Sequence, residues 1–335
     1  MNGPPFPGKH LKPRRGRNQK PKSQRKILEI PPWIFDTFEL FHDDVRFPAE
    51  ALVKTAAEYL RHLNLLGTQD LHTNSYDLPY LQRKPHADFL RGFLGKLHPA
   101  YTAMDASRPW LFYWCIAGLS FQDEEVSEYK ERLIDTVRPI QNPGGVFGGG
   151  HGQDRHCAGT YAAVLALAAV DGLEVVDRKK MWGWLGTVKQ DDGGFRMAVG
   201  ANKDIRGGYC AMTIITLLNL PLELPPDAPA RKTGLTSFTD KLGEWITRCQ
   251  TYVGGIGGGP SNGVHGAYAF CVIACLSILD APHIGILKYL DINALAHWLA
   301  STQNTPEEGF AGRQKKAGRC LRRSIGGLSE AQRRR

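Results

Sequence analysis

The sequence predicts an all-α fold in which helical hairpins repeat and close on themselves around a central cavity. Three observations predict it. First, a glutamine precedes a glycine-rich turn four times: Gln141 before Gly144 and Gly145, Gln190 before Gly193 and Gly194, Gln250 before Gly254 and Gly255, and Gln303 before Gly309. Trp184, Trp245 and Trp298 precede the last three. The period of roughly 50–60 residues marks a repeat architecture. Second, a strongly apolar run follows each of the first three turns, at 160–170, 209–220 and 268–279. Third, the stretches between are amphipathic at helical spacing, and no two-residue alternation is long enough for a sheet. Apolar helices alternating with amphipathic ones make a double layer, the apolar set inside and the amphipathic set outside with one polar face.

Taken in order, residues 1–32 are rich in Pro, Lys and Arg without periodicity and read as a disordered basic arm. Ala51, Leu52, Ala56, Tyr59, Leu60 and Leu63 form a helical stripe stopped by Gly67, and Phe89, Phe93, Leu94 and Leu97 form another. Ser107 stands as N-cap and Pro109 in the first turn of a helix running through Trp114 and Leu119. The apolar helices end near Val170, Pro221 and Pro282, and residues 222–239, with Pro225, Pro226 and Pro229, form the one long loop. The expected organisation is an arm at 1–32, the helical ring at 33–313 and a basic tail at 314–335.

A chain of 335 residues can bury a large core. No apolar run reaches the ~18–20 residues of a membrane span, and the N-terminus lacks a secretory apolar region. The seven cysteines include no Cys-x-x-Cys pair and read as reduced thiols of a cytoplasmic protein. The formal charge is +9, but both ends are basic. Removing the two ends leaves the body near −8 by a rough count, which argues against nucleic-acid binding through a basic face.

Several longer stretches carry a specific likeness. They are Gly-Gly-Gly-His-Gly-Gln at 148–153, Thr-Tyr-Ala-Ala-Val at 160–164, Asp-Ile-Arg-Gly-Gly-Tyr-Cys-Ala at 204–211 and His-Gly-Ala-Tyr-Ala-Phe-Cys at 265–271. In that order they resemble the beta subunits of the protein prenyltransferases. Asp-Ala-Ser-Arg-Pro-Trp-Leu at 105–111, with Tyr113 and Trp114, is similar to the farnesyl-transferring members rather than the geranylgeranyl-transferring ones. The resemblance implies an α/α toroid of about six hairpins, the terpenoid cyclase and prenyltransferase type of barrel. It also implies an alpha-subunit partner and transfer of farnesyl from farnesyl diphosphate to the cysteine of a C-terminal CaaX motif. Zinc at that cysteine, usually with magnesium, belongs to the same expectation.

The resemblance nominates His265, Arg313 and Lys316 for the leaving diphosphate, as the catalytic set. For the isoprenoid it nominates Arg206, Tyr209, Tyr268 and Cys271, with Gly266 and Ala267 beside them and Trp110 at the closed end. Bulky side chains at the positions of Trp110 and Tyr209 would shorten the cavity and exclude a fourth isoprene unit. For the acceptor peptide it nominates Trp110, Trp114, His156 and Arg206, the arginine fork suiting a carboxylate. From the residues alone, His265 is as well a satisfied structural residue before a helix, and the aromatics are ordinary core. Tyr268 and Cys271, three apart, share a helix face in either case.

The zinc site departs from the resemblance. Where the family reads Asn-Lys-Leu-Val-Asp-Gly-Cys-Tyr, this chain places Arg319 at the Asp position and Leu321 at the Cys position, with Cys320 out of register. The expected metal ligands are therefore none, and the later hairpins are expected to be missing. The tail from Gln314 reads as the product of a frame shift or a retained intron: codons for Lys316 to Arg319 read one base later permit Lys-Leu-Val-Asp. The chain as written is expected to be inactive. The alternatives are a geranylgeranyltransferase beta subunit, or a non-catalytic partner that binds the alpha subunit or isoprenoid.

Overall fold

The computed structural model describes residues 81–303 and 310–313. By its internal contacts the chain divides into Met1–Ala49 and Glu50–Arg335, and all described residues belong to the second unit. The expected arm at 1–32, the stripe from Ala51 to Leu63, Lys316 and the tail at 314–335 lie outside the described residues.

Ten α-helices follow in order among the described residues: α1 (Arg83–Phe93), α2 (Arg108–Ser120), α3 (Lys130–Val137), α4 (Cys157–Ala169), α5 (Arg178–Val188), α6 (Ile205–Leu217), α7 (Leu242–Thr247), α8 (Gly266–Leu279), α9 (Pro282–Tyr289) and α10 (Ile292–Ala300). The only β pairing among these residues is a set of isolated bridges. The fold is the expected α/α toroid arrangement. Helices α2, α4, α6 and α8 pack side by side as the inner layer, while α1 lies on α2, α3 on α4 and α9 on α8. None of the described helices is long and apolar enough to cross a membrane.

Inner helices differ from outer ones in the way the apolar runs require. In α4, Cys157, Tyr161, Ala162, Ala163, Val164, Ala166 and Leu167 are all buried, so the helix is covered nearly all round. In α3 only Leu133, Ile134 and Val137 are buried, a single stripe. The inner helices start earlier than their apolar runs suggest, at Cys157, Ile205 and Gly266 rather than 160, 209 and 268. Their first turns carry small residues such as Gly159, Gly207 and Gly266, which hide the helical pattern from hydropathy. Ser107 occupies the N-cap position of α2 but makes no side-chain cap bond, contrary to expectation. A 3₁₀ stretch, Pro99–Ser107, already leads into that helix. The 222–239 loop holds a short 3₁₀ helix, Pro229–Thr233, and a bridge between Glu223 and Ser237.

The repeat has a concrete packing cause. Each Gln-turn closes with an antiparallel bridge: Gln141 with Phe147, Lys189 with Phe195, Gln250 with Ile256 and Gln303 with Phe310. The turn then packs on the outer helix of the following repeat. Gly193 (φ +97°) and Gly254 (φ +86°) sit where a Cβ would fall 2.0 Å from the carbonyl oxygens of Lys241 and Ala294. The neighbouring Gly194 and Gly255 lie against the indoles of Trp245 and Trp298, which are fully buried. Tryptophan and glycine recur together because the ring of one repeat fills the space left by the bare backbone of the preceding one.

A second regularity fixes the register. The first residue of α4, of α6 and of α8 donates its backbone N–H to a carbonyl in the next repeat's turn: Cys157 to Met197 (2.7 Å), Ile205 to Gly258 (2.8 Å) and Gly266 to Gly312 (2.9 Å). These bonds satisfy donors that helix N-termini otherwise leave open. They also hold the fourth turn, with Arg313 next to Gly312, beside the start of α8.

Candidate functional site

The N-termini of α4, α6 and α8 open at the same end of the inner layer, and we call that end the mouth. Their N-cap residues are His156, Asp204 and His265, with nearly identical extended backbones (φ/ψ −145°/134°, −153°/136° and −157°/140°). Each side chain accepts a hydrogen bond from the amide two residues on: Ala158 to His156 Nδ1 (3.2 Å), Arg206 to Asp204 Oδ1 (2.9 Å) and Ala267 to His265 Nδ1 (3.0 Å). A cap of this kind stabilises a helix by about 1 kcal/mol. The helix dipoles, with their positive ends gathered here, make this end attractive to anions.

Asp204 also grips Arg206. Its Oδ1 accepts from Nε (2.9 Å) and its Oδ2 from Nη2 (2.6 Å). This bond leads the causes that hold the guanidinium in its charged form. The same guanidinium lies 5.6 Å from the centre of the Tyr268 ring, a cation–π contact between α6 and α8. His265 meets Tyr268 edge-on at 5.7 Å. Burial, and then the positive charge of Arg206, push the His156 imidazole toward its neutral form, while Asp204 pulls the other way.

From the mouth, an aromatic rail runs across all four inner helices. Trp110 lies 5.5 Å from Trp114 and 5.7 Å from Tyr161; Tyr161 lies 5.3 Å from Tyr209; Tyr209 meets Phe270 edge-on at 5.6 Å. Tyr113 joins edge-on to Trp110 and Tyr161. A 2.8 Å bond links the hydroxyls of Tyr161 and Tyr209. The hydroxyl pair satisfies two polar tips that would otherwise be costly in an apolar wall. Burial leads the causes that keep the Tyr161 phenol protonated. The ends of the rail, Trp114 and Phe270, are exposed. Burial pushes the Cys271 and Cys157 thiols up to about 12, so both are neutral packing groups rather than nucleophiles.

The nominated residues therefore fall into two connected groups. His156, Arg206, His265, Gly266, Ala267, Tyr268 and Arg313 gather at or beside the mouth, while Trp110, Trp114 and Tyr209 lie on the rail. Asp204, Tyr113, Tyr161 and Phe270 belong to the same surfaces and were not nominated from sequence. A usable signal existed: Tyr161, Tyr209 and Phe270 each stand five residues after an inner-helix N-cap. A separate cavity of ≈ 560 Å³ lies across α2, lined by Phe93, Leu111, Phe112, Ile116 and Tyr129, and none of the nominated residues lines it.

The described residues do not fit zinc: none of them form a cluster of three or more His, Cys, Asp or Glu side chains that could hold a metal. The stretch containing Arg319, Cys320 and Leu321 lies outside the described residues, and it carries neither Asp nor Cys at the positions where the resemblance calls for them.

Comparison with known proteins bears on this arrangement. The family model described as the prenyltransferase alpha-alpha toroid domain matches residues 81–320. The chain is 48% identical over 265 residues to the protein farnesyltransferase subunit beta of Pyricularia oryzae, covering 77% of this chain and 51% of that one. It is 34% identical over 257 residues to the Arabidopsis thaliana protein of the same name, covering 76% and 49%. The geranylgeranyl transferase type-1 subunit beta of Arabidopsis thaliana is more distant, at 28% over 169 residues, 48% of this chain and 41% of that one. The chain spans about half the length of the curated farnesyltransferase relatives it matches. Among solved structures, Candida albicans protein geranylgeranyltransferase-I complexed with GGPP superposes with a TM-score of 0.55 at 19% identity, covering 70% of this chain and 72% of that one.

Proposed function

The chain belongs to the prenyltransferase alpha-alpha toroid family, and from that premise we propose that it is built as the beta subunit of a protein farnesyltransferase. The observation that carries this reading is the aromatic rail across the inner helices, with Arg206 and His265 at the helix N-termini beside it. A long isoprenoid needs an aromatic wall. Its diphosphate needs cations and donors where negative charge develops as the carbon–oxygen bond breaks.

In this reading the farnesyl chain lies along Trp110, Tyr161, Tyr209 and Phe270, and Tyr268 and Cys271 border it. The bulk of Trp110 and Tyr209 shortens the run and excludes a fourth isoprene unit. His265, with Arg313 and Lys316, takes the leaving diphosphate, which magnesium can accompany. Trp114, His156 and Arg206 receive a C-terminal CaaX peptide, Arg206 directed toward its carboxylate. An alpha subunit completes the enzyme, in the cytoplasm. In the family, zinc would hold the acceptor peptide's cysteine as the attacking thiolate; since the described residues offer no such ligand set, the chain as written is read as binding its ligands without turnover. That non-catalytic reading is the alternative the missing ligand set favours.

The test is a tryptophan-fluorescence titration of the full chain, co-expressed with a prenyltransferase alpha subunit, against farnesyl and geranylgeranyl diphosphate. The farnesyl compound should bind at least about tenfold tighter. Trp110→Ala or Tyr209→Ala should narrow that gap by admitting the longer chain. Equal binding of both by the unaltered protein would contradict the farnesyl reading, and no binding of either would contradict the whole proposal.

A further inference from the structure

We propose that His156 and His265 serve the mouth as neutral hydrogen-bond donors through Nε2–H, their tautomer fixed by the helix caps they make, and not as cations. The inference deepens the ligand reading above and rests on it only for what the donors contact.

Three observations carry it. Each imidazole accepts a backbone N–H at Nδ1, from Ala158 at 3.2 Å and from Ala267 at 3.0 Å. A backbone amide can only donate, so Nδ1 must keep its lone pair, which leaves the ring's single proton on Nε2. An imidazolium has no lone pair to offer and would set two N–H groups against each other. The structurally equivalent position on α6 is Asp204, whose carboxylate can only accept, and it makes the same bond with the same backbone angles. The same acceptor role thus recurs at the N-caps of α4, α6 and α8. Finally, the positive end of each helix dipole opposes a cation on the N-cap.

The electrostatics of the mouth follow. Around His156 stand the Arg206 guanidinium and the Asp204 carboxylate, and these two neutralise each other in a two-point ion pair. Near His265 stand the phenol of Tyr268 and, at the fourth turn, Arg313. The two histidines then bring directed donors, and no positive charge of their own, to this end of the inner layer. The ligand class that fits is an anionic oxygen group with several acceptors, a diphosphate ester or a peptide carboxylate.

The experiment is a long-range ¹H–¹⁵N spectrum of the full chain, labelled at histidine, at pH 7. Signals are assigned with His156→Asn and His265→Asn, since asparagine also caps helices well. The expected result is unprotonated Nδ1 and protonated Nε2 for both residues. An imidazolium pattern, or a proton on Nδ1, at either residue would overturn the proposal. A second readout is binding of farnesyl diphosphate, and separately of a CaaX peptide with a free or amidated C-terminus, at low and high salt. His265→Asn should weaken diphosphate binding by about tenfold, as for loss of one directed donor, and leave its salt dependence unchanged. His156→Asn should do the same for the free-carboxylate peptide. A flattened salt dependence in either variant would mark a lost cation and overturn the inference. If the unaltered chain binds neither ligand, the farnesyltransferase reading fails while the spectrum still decides the tautomers.

Discussion

Lys189 is the one lysine among the described residues with no exposed surface. Its ammonium donates to the carbonyls of Gly193 (2.9 Å), Phe238 (2.8 Å) and Asp240 (2.8 Å), and it sits 4.7 Å from the Phe195 ring centre. It thus ties the second Gln-turn to the 222–239 loop. Burial, the leading cause, lowers its pKa from 10.5 to about 7. The unfolded chain therefore holds more protons at this residue between those values. By linkage, this group makes the fold more stable as pH rises from about 7 toward 10, by something on the order of 1–3 kcal/mol, and contributes no pH dependence below that window. Lys189→Met should abolish that rise in urea-unfolding curves taken at pH 7 and pH 9. It should also cost about 1–3 kcal/mol at pH 7, because three buried carbonyls lose their donor. Nothing in the sequence marks Lys189, because a lysine beside a turn ordinarily reads as surface.

At the scale of elements, the Trp and Gly positions were legible because one physical event, an indole over bare backbone, repeats at the second and third turns. Gly193→Ala and Gly254→Ala should each destabilise the fold by at least about 2 kcal/mol, since a Cβ there meets a carbonyl and the backbone angle is left-handed. Gly183→Ala, in α5 with nothing within 4 Å of the added carbon, should instead be neutral or gain about 0.5–1 kcal/mol. Thermal melts of the three variants check both signs. Helix starts were less legible. Ser107 has the right chemistry for a cap but follows a 3₁₀ stretch that already leads into the helix. His156 and His265 do cap, though sequence rules rank Ser, Thr, Asp and Asn first. The rail was half legible: Trp110 and Tyr209 were named from motifs, while Tyr161 and Phe270 needed the helices placed side by side.

For the whole described unit, the inner layer runs α2, α4, α6, α8, and the far side of α8 meets α9 and α10 across an apolar groove of ≈ 460 Å³ lined by Ile273, Ile286, Leu287, Ile292, Leu295 and Leu299. Leu287 is 66% exposed. Replacing it with glutamate should lower binding of a hydrophobic dye and reduce self-association in sedimentation runs, with little change in melting temperature. Cooperative stacking of this kind makes stability a sum of neighbour contacts. The central pair, α4 and α6, has a partner on each side in the inner layer and should show the slowest hydrogen exchange.

The bonds from Cys157 to Met197, Ile205 to Gly258 and Gly266 to Gly312 all point forward along the chain. On a ribosome, α4, α6 and α8 would therefore each emerge with the leading amide unclaimed and wait for roughly 40–50 further residues to be made before being latched. Assembly of this protein would run like a zip fastener from the first-synthesised hairpin to the last. A pause in translation inside any loop would leave a greasy helix uncovered for as long as the pause lasts.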